Sequence, residues 1–390
     1  MSAWRVFLIF LGLGCRCFGG PVAHLATFRD EFVGRRGWLS DAAYADLVVL
    51  CQFLPGPTSS QVGMLLGWRQ AGLGGMLAAW CGFTLPSAVL MIAAGAGAVA
   101  LASLAQGRWI AGVQCAVLAV VGSAVLTMAR QLCPDARRAA IAAGAAVAVL
   151  LAPAGWAQLL VLAGAGLAGA LLVRESGSAE AQVDPGPLPG KGLALIAAAL
   201  FVAGLLILPL FSGTSPWCRT AADLFRDGSL VFGGGHVVLP LLAADLVDSG
   251  LMPADRFLAG YGLAQAMPGP MFSFAGFLGA ALHGPGIGAI FGGILALVAI
   301  FLPGALIALA VLPLWSRLRS RPLAAGAGAG LGAGVVGILG AACYDPVFTS
   351  AIHRPADLAL AIAAFAALTA LRLPPWAVVA ACAGIGALRG

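Results

Sequence analysis

The stretch Gln52-Phe53-Leu54-Pro55-Gly56-Pro57-Thr58-Ser59-Ser60-Gln61 interrupts an apolar segment with the tripeptide Pro-Gly-Pro. The tripeptide returns 213 residues later in Gln265-Ala266-Met267-Pro268-Gly269-Pro270-Met271-Phe272-Ser273. In both copies a Gln stands three residues before the first Pro. Proline lacks an amide donor and cannot continue a helix, and glycine permits backbone conformations that other residues avoid. Each stretch is therefore predicted to be a broken helix.

The rest of the chain has the composition of a membrane protein. Of its 390 residues, 61% are hydrophobic and 9% are charged, whereas soluble proteins carry about 25% charged residues. Continuous apolar runs recur, and each is long enough to cross a hydrocarbon core of about 30 Å. Examples lie at 85–105, 109–129, 192–211 and 289–314. We predict an all-α polytopic membrane protein.

The chain also contains an internal repeat. Phe18-Gly19-Gly20-Pro21 opens one half and Phe232-Gly233-Gly234-Gly235 opens the other. An ungapped alignment then pairs Gln52 with Gln265 and Ser60 with Ser273. Further on, Phe83-Thr84-Leu85-Pro86-Ser87 matches Phe301-Leu302-Pro303-Gly304 after a shift of four residues. We predict a first repeat at 1–175, a polar linker at 176–191 and a second repeat at 192–390.

Charges predict the relative orientation of the repeats. The turn at 28–38 carries Arg29, Arg35 and Arg36, whereas the equivalent turn at 245–256 carries three Asp and one Arg. Equivalent turns of opposite charge indicate opposite sides of a membrane, and hence inverted repeats. If each Pro-Gly-Pro segment enters and leaves the membrane on the same side, twelve basic residues lie on the same side of the membrane as the linker and five lie on the other side. The linker is then expected to be cytoplasmic.

The residues after each tripeptide suggest an anion site. Proline is favoured at the first position of a helix, so Pro57 is expected to start one and to leave the next amides without helical acceptors. Such a helix end attracts anions, and non-helical backbone at membrane depth is tolerated only where it is buried or lines a cavity. We predict a substrate site near the membrane midplane, formed by Gln52, Pro55, Gly56, Pro57, Thr58, Ser59, Ser60, Gln61, Gln265, Pro268, Gly269, Pro270 and Ser273. A structural kink in a packed helix is the alternative.

The two copies differ in polarity, since Thr58, Ser59 and Ser60 follow the first and Met271 and Phe272 follow the second. We expect the first copy to bind the anion and the second to shape and gate the site.

Other residues have two interpretations each. Small residues at Gly19, Gly20, Gly233, Gly234 and Gly235 suit either the site's backbone or close helix packing. Imidazoles titrate near neutral pH, so His24 and His236 are candidates for proton coupling or are hydrogen-bonded structural groups. Charged side chains at Arg29, Glu31 and Arg69 either recruit the anion or only set topology. Most predicted spans lack ionisable residues in their middles, which argues against a relay of many carboxylates.

Several function classes lack sequence support. The chain has no Walker loop, nucleophile elbow or metal-ligand spacing, so we predict no enzyme activity, no cofactor and no metal. Its basic residues sit in short loops between apolar segments, which indicates topology and not nucleic-acid binding.

The motifs together resemble the chromate ion transporter (CHR) family in its long two-domain form. The resemblance runs from Phe18-Gly19-Gly20-Pro21 through Phe28-Arg29-Asp30-Glu31-Phe32-Val33 and both Pro-Gly-Pro stretches to Tyr344-Asp345-Pro346-Val347. It implies two homologous domains of opposite orientation. It also implies export of chromate across the inner membrane, driven by the proton motive force and conferring chromate resistance. Expected partners are chromate, sulfate as a competing dianion, protons and the lipid bilayer, with a homodimer left open.

Two other classes remain open at this point. One is a sulfate or oxyanion permease, or an anion channel, on the same scaffold, which uphill and pH-coupled flux would distinguish. The other is a membrane-embedded enzyme acting on a lipid phosphate or pyrophosphate, for which His24 or His236 would have to serve as the base.

Overall fold

A computed structural model describes residues 1–18, 20–100, 109–152, 155–173, 186–231, 238–315 and 321–388. Within these ranges the regular structure is helical and contains no strand, which confirms the all-α prediction. The α-helices, numbered in chain order, are α1 (Ala3–Gly14), α2 (Gly20–Arg29), α3 (Asp41–Phe53), α4 (Thr58–Ala100), α5 (Trp109–Leu132), α6 (Ala136–Leu151), α7 (Gly155–Leu172), α8 (Lys191–Ile207), α9 (Pro216–Leu230), α10 (Val238–Leu246), α11 (Ala254–Ala266), α12 (Phe274–Leu282), α13 (Ile287–Val311), α14 (Pro322–Ala342), α15 (Pro355–Thr369) and α16 (Pro375–Leu388). Short helical turns occur at Asp30–Arg35, Leu208–Phe211, Met271–Ser273, Leu312–Leu314, Cys343–Phe348 and Thr349–Ala351.

Five segments in the described part of the chain are long and apolar enough to cross a membrane. They are Thr58–Gly97, Trp109–Leu132, Lys191–Phe211, Ile287–Leu314 and Pro322–Ala351. Three of them coincide with the apolar runs expected at 109–129, 192–211 and 289–314. The run expected at 85–105 continues into residues outside the described ranges.

The chain folds into two compact units, and each unit takes segments from both sequence halves. Unit 1 comprises Met1–Gly97, Ala179–Gly235 and Met267–Arg317. Unit 2 comprises Ala98–Ser178, His236–Ala266 and Leu318–Gly390.

The first Pro-Gly-Pro separates two short helices. Ser40 caps α3 by accepting a hydrogen bond from the Ala43 amide at 3.2 Å, a common way to satisfy a free amide at a helix start. The 13 residues of α3 extend about 20 Å, which is less than the thickness of a hydrocarbon core. The helix ends at Phe53, because neither Pro55 nor Pro57 can donate the next backbone bonds.

The helix after this tripeptide is also short, because α4 reverses direction. Ala71 and Gly72 have non-helical backbone angles, with φ and ψ of −149° and 29° and of 57° and −145°. A Cβ at Gly67 would collide with the Gly75 carbonyl, and one at Gly75 with the Gly67 carbonyl. Residues eight apart in a straight helix lie about 12 Å apart, so α4 is a hairpin. We call its first arm, residues 58–70, the half-helix.

The second Pro-Gly-Pro has the same surroundings. The 13-residue α11 precedes it and the nine-residue α12 follows it. Helix α12 then packs against α13, and a Cβ at Gly279 would meet the carbonyl of Gly292 on α13. Both tripeptides therefore lie between two short helices, as the sequence predicted.

Unit 2 has a core of helices with small residues at their contacts. Helix α14 packs against α6 and α7, and α5 packs against α11, α15 and α16. A Cβ at Gly337 would collide with the Ala142 carbonyl on α6, and one at Gly330 with the Ala165 carbonyl on α7. Small residues permit such close approach between membrane helices.

Candidate functional site

Both Pro-Gly-Pro segments lie in unit 1. We call residues 55–57 tip 1 and residues 268–270 tip 2. Their central glycines have positive φ angles, 124° at Gly56 and 100° at Gly269. Side chains other than glycine rarely adopt such angles, so each tip requires its glycine.

The two tips are anchored by equivalent hydrogen bonds. The Gly56 amide donates to the Val231 carbonyl at 2.6 Å, and the Gly269 amide donates to the Cys17 carbonyl at 2.8 Å. Val231 and Cys17 precede the two equivalent Phe-Gly-Gly motifs. Each tip is thus bonded to the matching position of the other repeat.

The packing around each tip also involves the other repeat. A Cβ at Gly56 would lie 2.9 Å from the Gly304 Cα, and one at Gly269 would lie 2.8 Å from the Ser87 Oγ. Ser87 and Gly304 each follow the equivalent prolines inside α4 and α13. Tip 1 contacts the second repeat, and tip 2 makes the equivalent contact with the first repeat. Reciprocal contacts of this kind are typical of two units related by a two-fold axis, and here both units belong to one chain.

The half-helix begins with buried hydroxyl groups. Thr58 and Ser60 are each 3% exposed, and in the described part of the chain neither hydroxyl oxygen has a hydrogen-bond partner. The first amides of a helix also lack intrahelical acceptors. Tip 1 therefore presents donors without acceptors at the positive end of a helix dipole.

Gln61 holds tip 1 in place. Its Nε2 donates to the Pro55 carbonyl at 2.8 Å and to the Gly304 carbonyl at 3.0 Å. These two bonds use both hydrogens of the side-chain amide. The contacts of Gln61 are therefore those of a residue that positions the tip on α13, which differs from the anion donor expected from the sequence.

His24 lies beside the start of the half-helix. It is 1% exposed on α2, its Nδ1 is 3.3 Å from the Ser59 Oγ, and its ring meets the edge of the Phe83 ring. The structure thus brings His24 together with the predicted site. Gly20 begins α2 with a φ of 80°, whereas Gly19, Gly233, Gly234, Gly235 and His236 lie outside the described residues.

Tip 2 has an apolar continuation. Met271, Phe272 and Ser273 form one buried helical turn, in which the Ser273 amide donates to the Pro270 carbonyl at 2.9 Å. Met271 and Phe272 occupy the positions that Thr58 and Ser59 hold after tip 1.

The two glutamines that precede the tripeptides have different surroundings. Gln52 is exposed near the end of α3 in unit 1, whereas Gln265 is buried on α11 in unit 2. Equivalent sequence positions thus fall in different units.

Sequence reasoning missed two hydroxyl residues, Thr84 and Ser87. Both are buried on the second arm of α4, and Ser87 donates to the Thr84 carbonyl at 3.0 Å while it contacts Gly269. In the described part of the chain the Thr84 hydroxyl has no hydrogen-bond partner. The sequence signal is Phe83-Thr84-Leu85-Pro86-Ser87, in which the two hydroxyl residues flank the proline that aligns with Pro303.

The predicted recruitment residues form local contacts. Arg29 makes two hydrogen bonds to Asp41, at 2.7 and 2.6 Å, which lower the pKa of that exposed carboxyl. Glu31 accepts a 2.7 Å bond from Arg36. The Arg69 guanidinium packs against Gly186 in the linker. Groups of His, Cys, Asp or Glu able to hold a metal ion do not occur among the described residues.

Comparison with known proteins identifies the relatives of this chain. The sequence model of the chromate transporter family matches residues 4–170 and 218–387. A chromate transport protein of Pseudomonas aeruginosa is 32% identical over 94% of this chain and 86% of its own length. A probable chromate transport protein of Synechococcus elongatus is 27% identical over 80% and 76%. A chromate transport protein of Cupriavidus metallidurans is 24% identical over 98% and 92%. No solved structure gives a significant match.

Proposed function

Because the chain belongs to the chromate transporter family, we propose that it exports chromate across the inner membrane, driven by the proton motive force. The proposal depends on Thr58 and Ser60, whose buried hydroxyls at a helix start have no hydrogen-bond partner among the described residues. Burying a hydroxyl without a partner costs about 1 to 3 kcal/mol. An oxyanion supplies the acceptors that these donors lack.

The chemistry of tip 1 suits a tetrahedral dianion that must also leave. A helix N-terminus contributes roughly half a positive charge, and hydroxyls contribute dipoles. Such groups attract the anion without neutralising it completely, so release stays possible. Ser59, whose hydroxyl lies 3.3 Å from the His24 Nδ1, adds a third buried hydroxyl to the first turn of the half-helix.

The two tips have different roles in this proposal. Tip 1 and the half-helix bind the oxyanion, and tip 2 with Met271 and Phe272 shapes and gates the site. The repeats at 1–175 and 192–390 are inverted and joined by a cytoplasmic linker at 176–191. The two tips therefore enter the membrane from opposite faces. The reciprocal bonds of Gly56 and Gly269 support this two-fold arrangement.

The test is uptake of labelled chromate into everted membrane vesicles that contain the full chain. We expect uphill uptake that an uncoupler abolishes and that excess sulfate reduces. Uptake that the uncoupler leaves unchanged would instead indicate a channel or an uncoupled permease.

Paired variants test the site itself. Thr58→Val and Ser60→Ala each remove a hydroxyl with little change in volume, and we expect each to lower chromate uptake roughly 10- to 100-fold, since a hydrogen bond to a charged group contributes about 1.5 to 3 kcal/mol. Thr127→Val is the matched control, because its exposed hydroxyl donates only to its own helix, at Ser123. Normal uptake by both tip variants would show that the tips are purely structural.

A further inference from the structure

Unit 1 contains a deeply buried carboxylate that the proposed site does not use. Asp227 is 1% exposed on α9, which packs against α8 and α13. At the adjacent Gly228 a Cβ would collide with the Ile300 carbonyl, near the middle of the 25-residue α13. Helix α13 is long enough to span a membrane, and a spanning α13 would place Asp227 near mid-membrane depth. Ionisable residues at that depth are costly and are usually functional.

The end of α9 is connected to tip 1. Val231, whose carbonyl accepts the Gly56 amide at 2.6 Å, follows Asp227 by four residues, or about 6 Å along a helix. Gly228 also contacts Pro303, and the carbonyl of the next residue, Gly304, accepts a hydrogen bond from Gln61. A charge on Asp227 therefore acts on a segment that holds the proposed anion site.

The fold does not need an acid at this position. The repeat correspondence that pairs Cys17 with Val231 pairs Leu13 with Asp227. A Cβ at Gly14 would meet the Phe83 carbonyl of α4, just as one at Gly228 would meet the Ile300 carbonyl of α13. An apolar side chain thus fills the equivalent position in the first repeat, where Leu13 is also buried.

Asp227 has charged neighbours on its own helix. Arg226 lies between two acids, with its Nε 3.8 Å from Asp227 Oδ1 and its guanidinium 3.5 Å from Asp223 Oδ1. The other carboxylate oxygen of Asp223 is 3.6 Å from Arg219. Two Arg and two Asp sum to zero when all are ionised, and a proton on Asp227 leaves one positive charge.

Few other ionisable groups occur on the packed elements. Helix α13 carries no ionisable residue, and α8 carries only Lys191, exposed at its first position. His283, in the turn before α13, is 3.1 Å from Thr220, seven residues before Asp227.

We propose that Asp227 is the proton-binding site that couples protons to oxyanion transport, an inference that rests on the proposed function. A proton taken from water onto the Asp227 carboxylate removes a negative charge from the helix whose end anchors tip 1, so the protonated protein binds the oxyanion more tightly. By linkage, the bound oxyanion raises the proton affinity of Asp227 by the same factor. Proton and oxyanion therefore cross together. A dianion that leaves with one proton carries one net negative charge outward, so the membrane-potential component of the proton motive force drives its export, while the pH gradient opposes it.

The experiment compares chromate transport by the full chain in vesicles over about two pH units. For the wild type, we expect the chromate KM to rise with pH as Asp227 loses its proton. Asp227→Asn resembles the protonated state, so its KM should stay low, and the ratio of the two KM values should change about tenfold. Protonation of chromate itself affects both proteins equally and cancels in this ratio. Asp227→Glu should retain the pH dependence, and so should Asp223→Asn, the control for a nearby but more accessible acid.

A measurement on the unmodified protein guards against a variant that fails to insert. Adding chromate to purified wild type at fixed pH should cause proton uptake and produce an infrared band from a protonated carboxyl group. Absence of that band, or a wild-type pH dependence in Asp227→Asn, overturns the assignment of Asp227. The two proposals fail differently: a wild type that does not transport chromate refutes the function, whereas coupled transport by Asp227→Asn refutes only the role of this residue.

Discussion

Tip 1 and tip 2 share a backbone design but differ in chemistry. In both, a glycine with positive φ donates its amide to the matching carbonyl of the other repeat. Tip 1 continues into Thr58, Ser59 and Ser60, whereas tip 2 continues into Met271, Phe272 and Ser273. The shared part is what the fold requires of both repeats. The part that differs is free to serve the substrate, so matched substitutions at equivalent positions separate the two contributions.

The largest effect is expected from the shared glycines. Gly56→Ala and Gly269→Ala each introduce a Cβ at a positive φ and within 3 Å of a neighbour, Gln61 or Ser87. Strain of this kind costs about 1 to 3 kcal/mol before any clash is counted. We expect both variants to lose chromate uptake more than 100-fold while retaining membrane insertion, measured by vesicle uptake and by immunoblot of the membrane fraction. A near-normal rate for either variant would show that its tip is not a fixed part of the site.

The next effect separates the tips by their hydroxyls. Ser60 and Ser273 are equivalent in sequence and both buried. We expect Ser60→Ala to lower uptake roughly 10-fold or more, since a hydrogen bond to a charged group contributes about 1.5 to 3 kcal/mol. Ser273→Ala should stay within about twofold of wild type if tip 2 only shapes the site. Equal losses at both positions would contradict the division of roles between the tips.

A smaller effect is expected at the residue after each of these serines. Gln61 links the Pro55 and Gly304 carbonyls, whereas its equivalent, Phe274, is an apolar residue in the core. Gln61→Leu removes the donor that links the two carbonyls, and we expect it to lower the maximal uptake rate roughly 10-fold through loss of tip position. Phe274→Leu, the volume-reducing counterpart, should act on protein stability, measured by thermal denaturation in detergent, more than on transport. Rescue by Gln61→Glu is not expected, because a carboxylate would repel both the carbonyls and the anion.

The sequence predicted the backbone of this site better than its side-chain contacts. Proline and glycine limit the chain locally, so the helix breaks at Pro55 and Pro268 could be foreseen from residue type alone. The reversal at Ala71 and Gly72 could not, because it depends on the contact between Gly67 and Gly75. Gln61 is predicted from its position to donate to the anion, and its actual role could not be foreseen because one of its two backbone acceptors lies 243 positions away.

The same limit applies to polar groups that act across the repeats. Thr84 and Ser87 lie next to tip 2 only because α4 folds back on itself. Asp227 was overlooked because α9 has an amphipathic sequence typical of a surface helix, and only packing against α13 shows that its carboxylate is buried. Composition therefore predicted a membrane protein with few buried charges, but not which charge is buried.

The smallest expected effect tests the reciprocal packing itself. Ser87 faces tip 2 where Gly304 faces tip 1, and a Cβ at Gly304 would lie 3.1 Å from the Pro57 Cδ. Gly304→Ala should therefore push tip 1 by a few tenths of an ångström and lower chromate uptake several-fold. Ser87→Gly makes tip 2 resemble tip 1 and removes one hydrogen bond, which in membrane helices contributes on average about 0.6 kcal/mol, so uptake should change threefold at most. If Ser87→Gly were the more damaging of the two, its hydroxyl would have to act on the substrate together with Thr84, and the polar part of the site would extend to tip 2.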